Sequence, residues 1–284
     1  MVQSSSFEVE FWGVRGSVAT PGKSTVRYGG NTACVEIRAG NTRIIFDGGT
    51  GLRPLGQKLL DEYPVEAHLF FSHSHWDHIQ GFPFFRPAFL AGNRFHIYGG
   101  VAPNGATMQQ RLSDQMLHPN FPVPMQIMQA DLQFYDLAVN DVITIGNDGV
   151  TVETAALNHP NTALGYRVNW RDRSVVYTTD TEHYPDRVDE NLVRLCRNAD
   201  ILIYDACYTD EEFYDQHFPK VGWGHSTWQE ALKLAEVAGV KQVLMFHHAP
   251  EHDDDFLDQV ALQVKQHHPQ SMMAKEGMVL SLHV

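Results

Sequence analysis

The most constraining stretch of this sequence is an apolar run, Leu69-Phe70-Phe71, followed at once by His73-Ser74-His75-Trp76-Asp77-His78. Three histidines and an aspartate thus fall within six residues at the end of a predicted buried strand. Side chains two apart on an extended chain point to the same side, so His73 and His75 can bind one metal ion together. Asp77 and His78 come just after them, where the chain must turn toward a helix, and can face a second metal nearby. Imidazole and carboxylate donors suit zinc, with manganese or iron less preferred. Any fold of this chain therefore has to bring that strand end to a place where further donors gather.

The rest of the chain can supply such a fold. Its 284 residues suit one large α/β domain, here spanning residues 1–284, and 43 % hydrophobic with 19 % charged residues allows a sizeable core. There are 16 histidines, more than packing alone calls for. The net charge is −13 and no basic run appears, which argues against a large nucleic-acid partner. Cys34, Cys196 and Cys207 are far apart; Cys34 and Cys207 lie in apolar runs, as buried free thiols do. The amino-terminal MVQSSSFEVEFWG lacks a basic region followed by an apolar stretch, and no run approaches a membrane span. A cytoplasmic location with no membrane partner is expected, and homodimerisation is left open.

Alternation and punctuation predict strands at 7–11, 33–37, 43–46, 66–71, 95–98, 132–137, 142–145, 150–156, 164–168, 174–177, 201–204, 242–246 and 278–282. Helices are expected after Gly51, with Leu52, Leu55, Leu59 and Leu60 on one face, and at 107–117, 188–197, 227–238 and 254–267. Thr227 with Glu230 reads as a capping box, and Trp228, Ala231, Leu232 and Ala235 as that helix's apolar face. The order runs from β-rich through mixed to alternating β and α, which suits two sheets faced by helices. A proline-rich loop, His118-Pro119-Asn120-Phe121-Pro122-Val123-Pro124, interrupts it and is a candidate cover for a site.

His73–His78 resembles the H-x-H-x-D-H signature of the metallo-β-lactamase superfamily. Further donor-type residues follow in the family's order, each just past a predicted strand: His159, Asp180 in Tyr177-Thr178-Thr179-Asp180-Thr181, and His247 in Met245-Phe246-His247-His248-Ala249-Pro250. The resemblance implies an α/β (α+β) fold, a four-layer αββα sandwich of two mixed β-sheets with helices on the outer faces. It also implies two divalent metal ions, zinc foremost with manganese or iron as options. His73, His75 and His159 would hold one; Asp77, His78 and His247 would hold the other, with Asp180 bridging. His248 competes with His247 for that role. Two metals together lower the pKa of a shared water, giving a hydroxide nucleophile near neutral pH.

Two further motifs look like the ribonuclease Z branch: Gly224-His225-Ser226-Thr227 and Ile203-Tyr204-Asp205-Ala206-Cys207-Tyr208. The resemblance implies that His225 pairs with Asp205 as a catalytic proton donor, with Asp77 as the third catalytic residue. Cleaving a phosphodiester expels an alkoxide that needs a proton, which gives the pair a purpose. Asp205 stands where the family usually has glutamate, which shortens its reach. The short segment from His159 to Asp180 leaves no room for the tRNA-gripping arm of ribonuclease Z. Gly13-Val14-Arg15-Gly16-Ser17, Tyr28-Gly29-Gly30-Asn31-Thr32 and Gly222-Trp223-Gly224-His225 are closer to the cyclic-phosphate phosphodiesterases of phosphonate breakdown. The expected activity is therefore hydrolysis of a small, linear or cyclic phosphodiester. The alternatives are an RNA 3′-end endonuclease of the ribonuclease Z kind, or a thioester or lactone hydrolase on the same metals. Asp47-Gly48-Gly49-Thr50-Gly51 is read as a structural turn that also offers a supporting aspartate. Arg15 and Asn31 either approach the substrate or brace loops; His118, Phe121 and Trp223 either line the pocket or simply pack.

Overall fold

The computed structural model describes residues 6–283. The chain first lays down β1 (Ser6–Gly13), β2 (Cys34–Ala39), β3 (Thr42–Phe46), β4 (Glu66–Phe71), β5 (Arg94–Gly100) and β6 (Asp131–Leu137). It then builds β7 (Val142–Ile145), β8 (Val150–Leu157), β9 (Ala163–Trp170), β10 (Arg173–Thr178), β11 (Ile201–Asp205), β12 (Gln242–Phe246) and β13 (Met272–Met273), and β14 (Val279–His283) returns to the start. The result is two seven-stranded sheets, ordered β14-β1-β2-β3-β4-β5-β6 and β13-β12-β11-β10-β9-β8-β7.

Both sheets are mixed, and in the same way. In the first, the β14, β1, β2 and β3 pairings are antiparallel, then β3, β4, β5 and β6 run parallel. In the second, β7 to β10 pair antiparallel and β10 to β13 parallel. The inner parallel strands β3, β4, β10, β11 and β12 are covered on both faces and so are mostly apolar, and β11 is buried at all five positions, whereas the edge strand β6 stays largely open.

The two sheets bury their inner faces against each other. Phe7, Val9, Phe46 and Phe70 from one meet Tyr166, Val168, Tyr177 and Phe246 from the other. Phe46 stacks between Tyr166 and Tyr177, at centroid distances of 5.4 and 5.0 Å. Each such side chain contributes roughly 1.5–3 kcal/mol by leaving water. The outer faces are closed by helices. Leu52, Leu55 and Leu59 of α1 (Leu52–Leu59) pack on the first sheet beside Met108 and Leu112 of α3 (Met108–Asp114). Between them comes the short α2 (Trp76–Ile79). α4 (Glu190–Cys196), α6 (Trp228–Ala238) and α7 (Asp254–His267) cover the second, and α5 (Asp210–Phe213) is a single turn near the site. This is the four-layer αββα sandwich expected. No helix among the described residues is long and apolar enough to cross a membrane.

Local expectations need three corrections. Thr227 accepts the Glu230 backbone N–H at 3.3 Å, but the Glu230 carboxylate pairs with Lys233, so only half of a capping box forms there. The complete box is Thr209 with Glu212, at the start of α5. The apolar face of α6 uses Leu234 and Ala238, while Leu232 is only half-buried. Leu60 opens a separate 3₁₀ turn after α1. All three cysteines are buried free thiols.

Candidate metal centre

The site lies where strands end. His73, His75, Asp77 and His78 follow β4; Asp47 follows β3; His159, Asp180 and His247 follow β8, β10 and β12; Asp205 ends β11. Asp47, Asp180 and His247 have φ of 58°, 55° and 65°. A non-glycine residue in this left-handed region costs about 1–3 kcal/mol, tolerated where the surroundings fix it. The sharp bend turns each side chain from the strand direction into the space between the sheet ends. Gly224 (φ 85°) solves a related problem: its carbonyl lies against His159, and a β-carbon would stand 2.3 Å from His159 Nδ1.

The seven residues singled out as metal donors come together in two groups. Asp77, His78, Asp180 and His247 form one, buried throughout; His73, His75, His159 and Asp180 form the other, which is partly open at His75 while the His159 ring is buried. In the buried group His78 Nε2 is 3.2 Å from His247 Nε2, 3.1 Å from Asp77 Oδ2 and 3.2 Å from Asp180 Oδ1. His247 Nε2 is 3.2 Å from Asp77 Oδ2 and 3.1 Å from Asp180 Oδ1. In the half-open group His75 Nδ1 and His159 Nε2 are 3.1 Å apart, and Asp180 Oδ2 lies 3.6 Å from both His73 Nε2 and His159 Nε2. Asp180 therefore gives one oxygen to each group.

This arrangement fits cations better than it fits hydrogen bonding. Two donors bound to one tetrahedral zinc at about 2.0–2.1 Å sit roughly 3.3 Å apart, close to the spacings observed. His73 Nε2 is buried with no hydrogen-bond partner. Its own Nδ1–H donates to Ser72 Oγ at 3.0 Å, so the orphan Nε2 carries a lone pair aimed into the group. Burial first, then neighbouring imidazoles, hold the His73 pKa well below its ordinary value; burial likewise lowers His75 and His159. All three are neutral ligand-type rings at neutral pH. Around His78, burial opposes charge but Asp180, Asp77 and Asp47 together outweigh it and raise its pKa. Burial would raise the Asp77 and Asp180 pKa values, yet the surrounding histidines hold both far below the ordinary carboxylate range. The spot demands positive charge, as a divalent cation site does.

A supporting layer orients the donors. Asp47 Oδ2 accepts from His78 Nδ1 at 2.8 Å and from the Tyr177 hydroxyl at 2.7 Å, while Ser72 donates to the same carboxylate. His159 Nδ1–H donates to Gly224 O at 2.8 Å, and the Ser17 N–H donates to Asp77 Oδ2 at 2.8 Å. Such contacts fix which ring nitrogen faces the ion. Asp47 thus takes the supporting place allowed for it, whereas Tyr177 and Ser72 gave no signal in the sequence. Nor did Glu182, which accepts from the Gly222 and Gly224 N–H groups and so steadies the loop under His159.

His248 is not part of either group. Its ring packs against Tyr28, its Nε2–H donates to Ala274 O at 2.9 Å, and burial pushes its pKa down to about 3. His225 sits beside both groups, its ring centroid 4.9 Å from His247 and 5.4 Å from His159. Its Nδ1–H donates to Asp205 Oδ2 at 2.9 Å, so the shorter aspartate does reach. Asp205 is itself pinned by the Thr181 and Cys207 N–H groups. Burial opposes protonation of His225, but Asp205 outweighs it and the pKa is pushed up to about 9.

The remaining candidates divide. Arg15 is fully buried and donates to Gly29 O, Ala249 O and His252 O, which makes it a loop brace. Asn31 binds Glu276 at the wall of a cavity of about 580 Å³. Trp223 lines a second cavity, about 730 Å³, together with His225 and Ser17. Phe121 packs on Phe84, and His118 is exposed; neither lines the cavity that contains His225. The proline-rich loop is not part of that cavity's wall.

Comparison with known proteins agrees with this fold. A ribonuclease Z of Picrophilus torridus is 24 % identical over 293 residues, covering 88 % of this chain and 88 % of that one. Among solved structures, the metallo-β-lactamase fold protein YhfI from Bacillus subtilis superposes with a TM-score of 0.72 at 20 % identity, covering 98 % of this chain and 100 % of that one. A diphosphatase of the PhnP family gives a TM-score of 0.69 at 16 % identity, with 98 % of each chain covered. Residues 42–248, which hold every donor described above, match the family described as Beta-lactamase superfamily domain, and the chain belongs to that family.

Proposed function

We propose that this chain, acting as one domain, is a metal-dependent phosphodiesterase for small linear or cyclic phosphodiesters. The observation that carries the reading is a shared carboxylate, Asp180, between two donor groups, with the protonated His225–Asp205 pair alongside. His73, His75 and His159 would hold one divalent ion and Asp77, His78 and His247 the other, with Asp180 common to both; the nitrogen-rich donor set favours zinc. Bound ions would supply Lewis acidity, lowering the pKa of a water and neutralising phosphoryl charge.

The chain's own residues would do the rest. His225 would hold its proton because Asp205 faces Nδ1, leaving Nε2–H to donate to the departing alkoxide. Asp77 would help hold one of the ions, and its carboxylate is itself positioned by the Ser17 N–H. The partly exposed His75 would mark the side from which substrate enters. Small size is supported by the net charge of −13 and by the segment from His159 to Asp180, which is taken up by β9 and β10 and holds no projecting arm. The Picrophilus torridus likeness favours RNA 3′-end cleavage as the second reading. A cytoplasmic location goes with either.

The test is metal analysis of purified protein, then hydrolysis of bis(p-nitrophenyl) phosphate, cyclic nucleotides, a p-nitrophenyl thioester and a precursor tRNA. Preference for the small diesters is expected. Faster turnover of the thioester or of the tRNA would overturn the assignment.

A further inference from the structure

The 730 Å³ cavity beside His225 has one wall that the chemistry above leaves unused. Phe218 and Trp223 are 59 % and 47 % exposed, unusually open for large rings, and meet edge to face at 5.4 Å. Lys220 reaches between them, its ammonium 3.9 Å from the Phe218 ring centre and 4.6 Å from that of Trp223. Tyr208 links this cluster to the centre: Lys220 lies 5.8 Å from its ring, which lies 6.2 Å from the ring of His225. Among the described residues, Lys220 is the one lysine or arginine in the cavity wall. It is held there by aromatic rings and, among the described residues, by no ion pair, with Asp215 acting only as a more distant charge.

The loop that carries these rings is pre-built. Asp215 accepts from the N–H groups of His217 and Phe218, the Trp223 N–H donates to Lys220 O, and Glu182 holds Gly222 and Gly224. Rings kept exposed and rigid pay little entropy when a flat partner lands on them.

The geometry points to a ring-stacking subsite: Trp223 stacks on the nucleobase of a nucleoside phosphodiester, Phe218, which stands perpendicular to it, meets the base edge, and Lys220 donates to acceptor atoms on that edge. This rests on the phosphodiesterase reading above and names the substrate class within it. Any flat ring could stack, but the ammonium beside the stack favours one with carbonyl or ring-nitrogen acceptors. The acidic neighbours Glu212 and Glu251 in the same wall disfavour a polyanion and accept a ligand with a single phosphate.

Equilibrium binding to metal-loaded protein, measured by calorimetry, tests this without turnover. The probes are adenosine 5′-monophosphate and ribose 5-phosphate, which share a phosphoryl ester and differ in the base. The wild type should bind the nucleotide more tightly. Trp223→Ala should weaken the nucleotide about tenfold or more, the size of one lost stack, with a several-fold smaller effect on the sugar phosphate. Trp223→Phe should restore most of the loss, and Lys220→Met should again weaken the nucleotide selectively. Equal weakening of both probes by Trp223→Ala, or no weakening of the nucleotide, overturns the subsite even if small diesters are hydrolysed. Selective weakening in a protein that hydrolyses no diester keeps the subsite and removes the phosphodiesterase.

Discussion

The two sheets repeat one pairing pattern yet furnish the centre in opposite ways. The amino-terminal sheet places His73, His75, Asp77 and His78 on one strand end and the first turn of a short helix. The carboxy-terminal sheet gives one donor each after β8, β10 and β12, namely His159, Asp180 and His247; the first two are separated by β9 and β10, the last two by α4, β11, α5, α6 and β12. The first set is positioned by local backbone geometry. The second is positioned by the packing of the sheet, because each donor depends on where its neighbour strand ends. A compact cluster is robust and easy to see; a dispersed one ties the centre to the integrity of the core.

The difference can be broken first at the residue both groups share. Asp180→Ala should strip metal from both groups and reduce turnover to the background rate, whereas His75→Ala should chiefly empty the half-open group. Metal counting by mass spectrometry decides between them, and equal stoichiometry in the two variants contradicts the sharing. Next comes His225→Ala, which removes none of either group's donors although the ring stacks on His247. It should leave metal content intact and slow poor, high-pKa leaving groups by about 10²–10⁴-fold. Equal slowing for good and poor leaving groups would remove it as proton donor.

Smaller effects probe the supporting layer of each side. Asp47→Ala on the amino-terminal side should weaken metal binding by about 10–100-fold, read by chelator competition, since His78 loses its orienting carboxylate. Gly224→Ala on the other side should weaken it as well, by forcing His159 aside; an unchanged affinity would mean the loop yields. The mildest change is with pH. His225 is protonated below its raised pKa of about 9, so its contribution is present at neutral pH and is lost as pH rises through that value. Turnover of poor leaving groups should fall on that alkaline limb, and Asp205→Asn should move the limb to lower pH. A limb that stays in place shows that some other group titrates.

The same contrast explains what the sequence could tell. The clustered donors were legible because four ligand-type residues stood directly behind Leu69-Phe70-Phe71. The dispersed ones were legible only through their shared position after apolar runs, and through a family likeness that ordered them. His247 against His248 could not be separated in one dimension; the left-handed bend at His247 sends its ring inward and leaves His248 facing Tyr28. The ring subsite was nearly invisible. Trp223 was in view, but Phe218, Lys220 and Tyr208 converge only through a loop closed by Glu182, and no periodicity marks such a closure. The Thr227 box looked complete because spacing fixes the backbone half of the motif, while Lys233 decides where the glutamate goes.

A carboxylate with an oxygen in each of two groups makes them one thermodynamic object. Were each group to hold an ion, a shift of the β10 end that carries Asp180 would take an oxygen from both at once. The centre would then fail as a unit, so that loosening one strand end costs more than the loss of a single ligand.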